Sequence, residues 1–315
     1  MKRNRLVVIA VLFGWTLCCQ AAEPSAAPSP QAGEPSVMDK VYPGLASNIL
    51  TYARLTDLPE GVLLRAGDFT VNAKTVTEEI SKVPEALQKE LTKQSFFMLE
   101  RIAAKDLLLS DAKSQATKAG QDVSKLGESE IMRDYFGKEI KELKVSDEEV
   151  SAFYRDNPEM FGGATLAQVK PQLGEYLLQQ KQREAVSRHV RTLGQRMVIE
   201  VSASWVKAQA GPSMDNPVGK AIQSGKPSVV DFGRSGCGPC DMMTPILAEL
   251  KKTYDGKANV LFVHVGEEQI LAVRYGIDSI PVQIFFDKDG REVFRHTGFF
   301  AKDKIEKKLA EMGVK

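Results

Sequence analysis

Apolar and polar residues alternate along Val62-Leu63-Leu64-Arg65-Ala66-Gly67-Asp68-Phe69-Thr70-Val71, a period of two that predicts a hairpin or an edge strand. The region it opens, to about Val206, otherwise carries helical periodicity. Thr75 followed by Glu78, and Ser146 followed by Glu149, have the spacing of capping boxes at helix starts. From Glu85 to Ala119 no breaker interrupts apolar positions Leu87, Leu91, Met98, Ile102 and Leu109, which predicts helix. A second long helix is expected over Leu166 to Gln195, with Pro171 either kinking it or delaying its start, and Met197 to Val201 reads as a short strand. The charged stretch from Gly137 to Glu149 is expected to be a solvated surface.

Beyond Ala208 to Asn216, where Gly211 and Pro212 suggest a boundary, the rhythm changes to that of a small α/β domain. It predicts a helix over Pro217–Ser224, a strand over Ser228–Phe232 and a helix after Cys237. A strand over Val260–Val265, a helix over Glu267–Tyr275, strands over Val282–Phe286 and Glu292–Thr297, and a helix over Lys302–Met312 follow. Asp287-Lys288-Asp289-Gly290 fits a tight turn between antiparallel strands; the positions after it do not supply the ligands of a calcium loop. The organisation expected is therefore a mostly helical part over 37–210 and an α/β part over 211–315.

The first 21 residues join a basic start (Lys2, Arg3, Arg5) to an apolar run from Leu6 to Leu17 and a small-residue exit, the layout of a cleaved signal peptide. Cleavage is expected after Ala21. An uncleaved anchor and a lipid anchor at Cys18 or Cys19 are the alternatives, although neither cysteine follows the small residue that lipid attachment favours. Each of the three places the mature protein outside the cytoplasm, with a periplasmic location expected, where disulfides persist. Residues 22–36, with Pro24, Pro28, Pro30 and Pro35, read as an extended tether. The 315-residue chain has 42 Lys and Arg against 41 Asp and Glu, and loss of Lys2, Arg3 and Arg5 leaves 39 against 41. That balance does not favour nucleic acid as a partner.

Four cysteines occur in the chain, two of them in the leader, so the mature thiols are those of Cys237-Gly238-Pro239-Cys240. A strand that ends by presenting two thiols at the first turn of a helix suits dithiol/disulfide exchange. A structural zinc site needs four ligands, and His189, His264 and His296 show no paired spacing with the dithiol, so no metal and no other cofactor is expected. The histidines read as ordinary packed or surface residues.

Residues 215–315 resemble the thioredoxin family through Val230-Asp231-Phe232, Cys237-Gly238-Pro239-Cys240, Tyr275-Gly276-Ile277, Ile280-Pro281, Phe286-Asp287-Lys288-Asp289-Gly290 and Gly298. The resemblance implies the α/β thioredoxin fold, a central mixed sheet flanked by helices, behind a mostly α-helical N-terminal domain. It implies that Cys237, at a helix N-terminus where backbone amides and the dipole favour a thiolate, attacks, and that Cys240 resolves the mixed disulfide. Asp231 is expected to be buried with a raised pKa and to take the proton from Cys240. Ile280-Pro281 is expected to be a cis bond that offers backbone to an extended client. Gly236 stands where the family usually has tryptophan and would border the client site; Phe262 stands where many members place a lysine beside the aspartate.

Residues 60–205 resemble the helical, non-catalytic part of periplasmic parvulin-type prolyl isomerase chaperones. The matching stretches are Asn72-Ala73-Lys74-Thr75-Val76-Thr77, Glu100 to Ala112 and Val145 to Tyr154. Only Phe161-Gly162-Gly163-Ala164 stands where that family inserts its isomerase domain, so isomerase activity is not expected. A peptide-binding surface is, with part of Phe96-Phe97-Met98-Leu99 either lining it or buried between helices. The function expected is an exported thiol:disulfide oxidoreductase acting on protein disulfides, in the reductase or isomerase direction. Its expected partners are protein thiols and disulfides, a redox partner such as a membrane electron donor, and unfolded polypeptide on the helical part. The alternative is a non-enzymatic chaperone with a redox-sensing dithiol.

Overall fold

A computed structural model describes residues 36–315; the leader with Cys18 and Cys19, and all of the tether but Ser36, lie outside the described residues. A short helix α1 (Met38–Val41) is followed by β1 (Arg54–Thr56) and by the hairpin β2 (Val62–Ala66) and β3 (Phe69–Asn72). The hairpin is the antiparallel pair that the alternation predicts, turning at Gly67 and Asp68. Helices α2 (Ala73–Ser81), α3 (Glu85–Lys93), α4 (Ser95–Lys118), α5 (Glu128–Ile140), α6 (Asp147–Asp156) and α7 (Leu166–Arg196) come next. Strand β4 (Glu200–Ser202) then returns between β1 and β2 to complete a sheet of order β1-β4-β2-β3.

Local rules account for most boundaries, and the differences have physical causes. The capping box at Ser146 and Glu149 is formed at the start of α6. At α2, however, the cap is Asn72, whose Oδ1 accepts from the Thr75 backbone N–H at 3.0 Å, so the helix begins before Thr75 rather than at it. The helical run from Glu85 breaks at Gln94 (φ −104°, ψ 37°), which lets α4 set off in a new direction. Pro171 lies in the second turn of α7 without ending it. Phe96, Phe97, Met98 and Leu99 are all buried, so this stretch is core and offers no peptide groove.

Helix α8 (Ala203–Met214) runs through Gly211 and Pro212, so the expected boundary segment is helical over most of its length. Burial of Val206, Ser213 and Met214 holds it despite the proline. Then follow α9 (Pro217–Ile222), β5 (Ser228–Gly233), α10 (Gly238–Thr253), β6 (Asn259–His264), α11 (Gln269–Arg274), β7 (Val282–Phe286), β8 (Glu292–Thr297) and α12 (Lys302–Glu311). The second sheet has the order β6-β5-β7-β8, with β5 parallel to β6 and antiparallel to β7, and β7 antiparallel to β8.

The two faces of β5 enter different cores because side chains alternate across a strand. Val229 joins Met243, Leu247 and Leu250 of α10 and Ile305 and Leu309 of α12. Val230 and Phe232 join Ile270, Leu271 and Tyr275 in a core that continues through Met214 and Val218 into the helical part. A buried polar junction ties the same two parts. Arg274, 5% exposed, donates to the carbonyls of Ser213 (2.8 Å), Gly44 (2.8 Å) and Leu45 (2.9 Å). Beside it the buried Glu100 carboxylate accepts from the backbone N–H of Asn48 at 2.8 Å and from that of Ser47. Burial pushes the Glu100 carboxyl up in pKa, while those hydrogen bonds and the Arg274 charge oppose the rise.

Candidate redox site

Strand β5 is buried along its whole length and ends at Gly233. The chain then turns through exposed Arg234, Ser235 and Gly236 before Cys237 caps α10. Gly236 has φ +77°, a left-handed conformation that disfavours a side chain, and no atom lies within 4 Å of where a Cβ would stand. Glycine in the place of an aromatic thus serves the turn and leaves the approach to the dithiol open.

Cys237 is half-buried and Cys240 is 2% exposed, and the two are joined as a disulfide with a Cα–Cα distance of 5.2 Å. Pro239 sits in the first turn of α10, where its missing N–H has no helical acceptor to lose. One sulfur therefore meets solvent at the free amides of a helix N-terminus, while the other lies beneath it.

Asp231 is fully buried on the β5 face that looks toward α10. Gly233, two residues on and so on the same face, has Cys240 Sγ 3.4 Å from the position of an added Cβ. Phe262 is opposite Asp231 on β6, and Gln283 is opposite it on β7. Phe262 is 46% exposed and offers no charge. The polar partner is Gln283, 0% exposed, whose Nε2 donates to Asp231 Oδ1 at 2.6 Å. Burial raises the Asp231 pKa to about 7, and the Gln283 hydrogen bond pulls the other way. Nothing local in the sequence singles out Gln283; the available signal is a glutamine two residues after Pro281 in an otherwise apolar strand.

The Ile280–Pro281 bond is cis, as expected, and it immediately precedes β7. Val282 pairs with Phe232, so Pro281 lies at the end of β5 from which the dithiol loop departs. Pro281 is buried and its carbonyl accepts from the Gly298 N–H at 2.8 Å. Ile280 is half-buried, and no hydrogen bond from the described residues reaches its N–H or C=O. The register brings Cys237, Cys240, Asp231, Pro281 and Gln283 to one end of the sheet, and Gly236 and Ile280 to the loops beside them.

The helical part also reaches this end. A Cβ on Gly298 would lie 3.3 Å from Met160 Cε and 3.8 Å from Tyr176 Oη, and the Tyr176 hydroxyl donates to the Thr297 carbonyl at 3.3 Å. Met160 and Tyr176, with Phe153, Phe161, Val169 and Leu173, line an open apolar pocket of about 260 Å³. Sequence reasoning had no means of placing these residues here.

His296 pairs with Gln283 across β7 and β8, and its Nε2 donates to the Phe299 carbonyl at 3.0 Å. Burial lowers its pKa to about 4, so it is neutral at ordinary pH. His189 lies in the helical part between Tyr135 and Glu139.

A dithiol at a helix start, with one sulfur accessible and one buried beside a strand that carries a buried carboxyl, is an arrangement suited to thiol–disulfide exchange on a mixed four-stranded sheet. A family model described as a thioredoxin-like domain matches residues 214–313. A thioredoxin of Staphylococcus saprophyticus is 45% identical over 84 residues, 27% of this chain and 79% of its own length. Those of Staphylococcus epidermidis (41% over 95 residues, 30% of this chain and 89% of that protein) and Alicyclobacillus acidocaldarius (40% over 93 residues, 30% and 88%) are similar as well. Among solved structures, the thioredoxin NaTrxh from Nicotiana alata shares 30% identity, with 30% of this chain and 80% of that chain covered and a TM-score of 0.28. Through this C-terminal domain the chain belongs to the thioredoxin family, and its general class is that of the oxidoreductases.

Proposed function

We propose that the protein is an exported thiol:disulfide oxidoreductase that reduces or reshuffles disulfides in protein clients. The observation that carries this reading is the pairing of a half-buried Cys237 at the N-terminus of α10 with a buried Cys240 that packs on Gly233, two residues along the same strand face from the fully buried Asp231. In the reducing direction the Cys237 thiolate attacks a client sulfur, forming a mixed disulfide and expelling the client's other sulfur as a thiolate. Cys240 then gives its proton to the Asp231 carboxylate and attacks Cys237. That bond closes as the client's remaining sulfur leaves, so two electrons pass from dithiol to client. A redox partner such as a membrane electron donor restores the dithiol.

The unpaired backbone of Ile280 supports docking of an extended client strand beside Cys237. The helical part contributes to the same surface, since Met160 and Tyr176 lie against Gly298 and open on an apolar pocket. This contact, and not Phe96–Leu99, is the support for a peptide-binding role of that part. Export, and a periplasmic location, are supported by the basic-apolar leader of residues 1–21.

The test is reduction of a disulfide-bonded protein and refolding of a scrambled one by the purified chain, with Cys237→Ser and Cys240→Ser alongside. The expected result is activity in the wild type, none in Cys237→Ser, and a trapped mixed disulfide with Cys240→Ser. A wild type that does neither, while Cys237→Ser suppresses client aggregation equally well, would replace this reading with that of a chaperone whose dithiol senses redox state.

A further inference from the structure

A buried carboxylate that is to accept a proton needs a donor to hold its charged form, or it remains protonated and cannot act as a base. Among the described residues, no side-chain cation supplies that donor to Asp231. The titratable or charged groups that the register and the Gly233–Cys240 contact bring to this end of the sheet are Cys237 and Cys240 on α10, His264 on β6 and His296 on β8, with Lys304 of α12 near His296. His296 is neutral and spends its Nε2–H on Phe299, and Phe262 presents an aromatic ring.

The donor present is the Gln283 amide, 2.6 Å from Asp231 Oδ1 in a cross-strand pair where both side chains are 0% exposed. The NH2 end of the amide faces Oδ1, the orientation that the charged carboxylate requires. Asp231 Oδ2 has no hydrogen-bond partner among the described residues and is the oxygen left free to take a proton.

We propose that Gln283 is a positioning residue for proton transfer from Cys240: its amide fixes Asp231 through Oδ1 and favours the charged carboxylate, in place of a cationic neighbour. The assignment rests on the oxidoreductase reading above and adds a residue that the cysteine motif does not contain. During resolution the Cys240 S–H proton goes to Asp231 Oδ2, the Cys240–Cys237 bond forms, and the Cys237–client bond breaks with the client sulfur leaving as a thiolate. Gln283 touches none of the reacting atoms; it sets how basic Asp231 is when the proton moves.

The experiment is stopped-flow reaction of the reduced full chain with an aromatic disulfide that releases a coloured thiolate. Attack by Cys237 releases one thiolate, and resolution by Cys240 releases the second. In wild type the second phase should slow toward acid pH with a midpoint near that of Asp231, about 7. Removing one hydrogen bond to a charged group, as in Gln283→Met, should move that midpoint up by about one pH unit or more while leaving the first phase unchanged. Gln283→Lys, which supplies a cationic donor, should move it down, and it keeps the test open if the methionine variant does not fold. An unchanged midpoint in both variants, with the acid limb lost in Asp231→Asn, would reduce Gln283 to a packing role and overturn the proposal. Absence of the first phase in wild type would instead overturn the oxidoreductase reading itself.

Discussion

Replacing Asp231 by asparagine should stabilise the oxidised protein at alkaline pH and leave it nearly unchanged in acid. Burial lifts the Asp231 pKa in the folded chain to about 7 from the ordinary value of 3.8 that the unfolded chain restores. Between those values the folded state holds a proton that the unfolded state has released, so wild-type stability falls as pH rises through the window and levels off above about 7. The difference of about three units, at about 1.4 kcal/mol each, sets the cost at about 4 kcal/mol as an upper figure. Asparagine has the same shape, cannot ionise, and still offers an oxygen to the Gln283 N–H. Urea denaturation of the disulfide-bonded proteins at several pH values between about 4 and 8.5 measures the difference without interference from thiol titration. The stability gain of the variant should grow with pH by up to about 4 kcal/mol. A gain that stays constant across the range would refute the buried, proton-holding Asp231. The same substitution should slow resolution, an exchange of activity for stability often met at sites built for chemistry.

Arg274→Ala should destabilise the whole chain by about 3 kcal/mol or more, because the carbonyls of Ser213 and Leu45, which are buried, and of Gly44, which is half-buried, each lose a donor. Thermal unfolding followed in the far-UV and near-UV should then separate into two transitions, since this residue bridges the helical and α/β parts; a loss under about 1 kcal/mol would contradict that role. Combined Met160→Ala and Tyr176→Phe should alter KM for a protein disulfide and spare the rate with a small aromatic disulfide. Equal effects on both substrates would remove the helical part from the client surface.

The α/β order, the dithiol, the buried aspartate in an apolar strand and the proline loop were legible because each is a local pattern. Sheet periodicity, a two-residue cysteine spacing and an Ile-Pro step are short-range signals that tertiary context here did not override. The helix cap at Asn72 rather than Thr75 and the break at Gln94 were matters of local geometry that spacing alone resolves only to within a turn. Phe96 to Leu99 were consecutive apolar residues whose burial on several sides depends on neighbours far along the chain. Gly211 and Pro212 read as a boundary and lie within a helix, because packing of Val206, Ser213 and Met214 outweighs their local preference.

The sequence by itself determined the candidate chemistry: a Cys-Gly-Pro-Cys on a strand-to-helix turn, with an acid two residues before the end of the apolar strand that leads into it. Tertiary structure decided what surrounds it. Cross-strand register set Gln283 against Asp231, and the docking of α7 and the Pro158–Phe161 turn set Tyr176 and Met160 against Gly298. Neither pairing has a local sequence signature, because both depend on contacts between residues 52 to 138 positions apart that only the folded chain brings together.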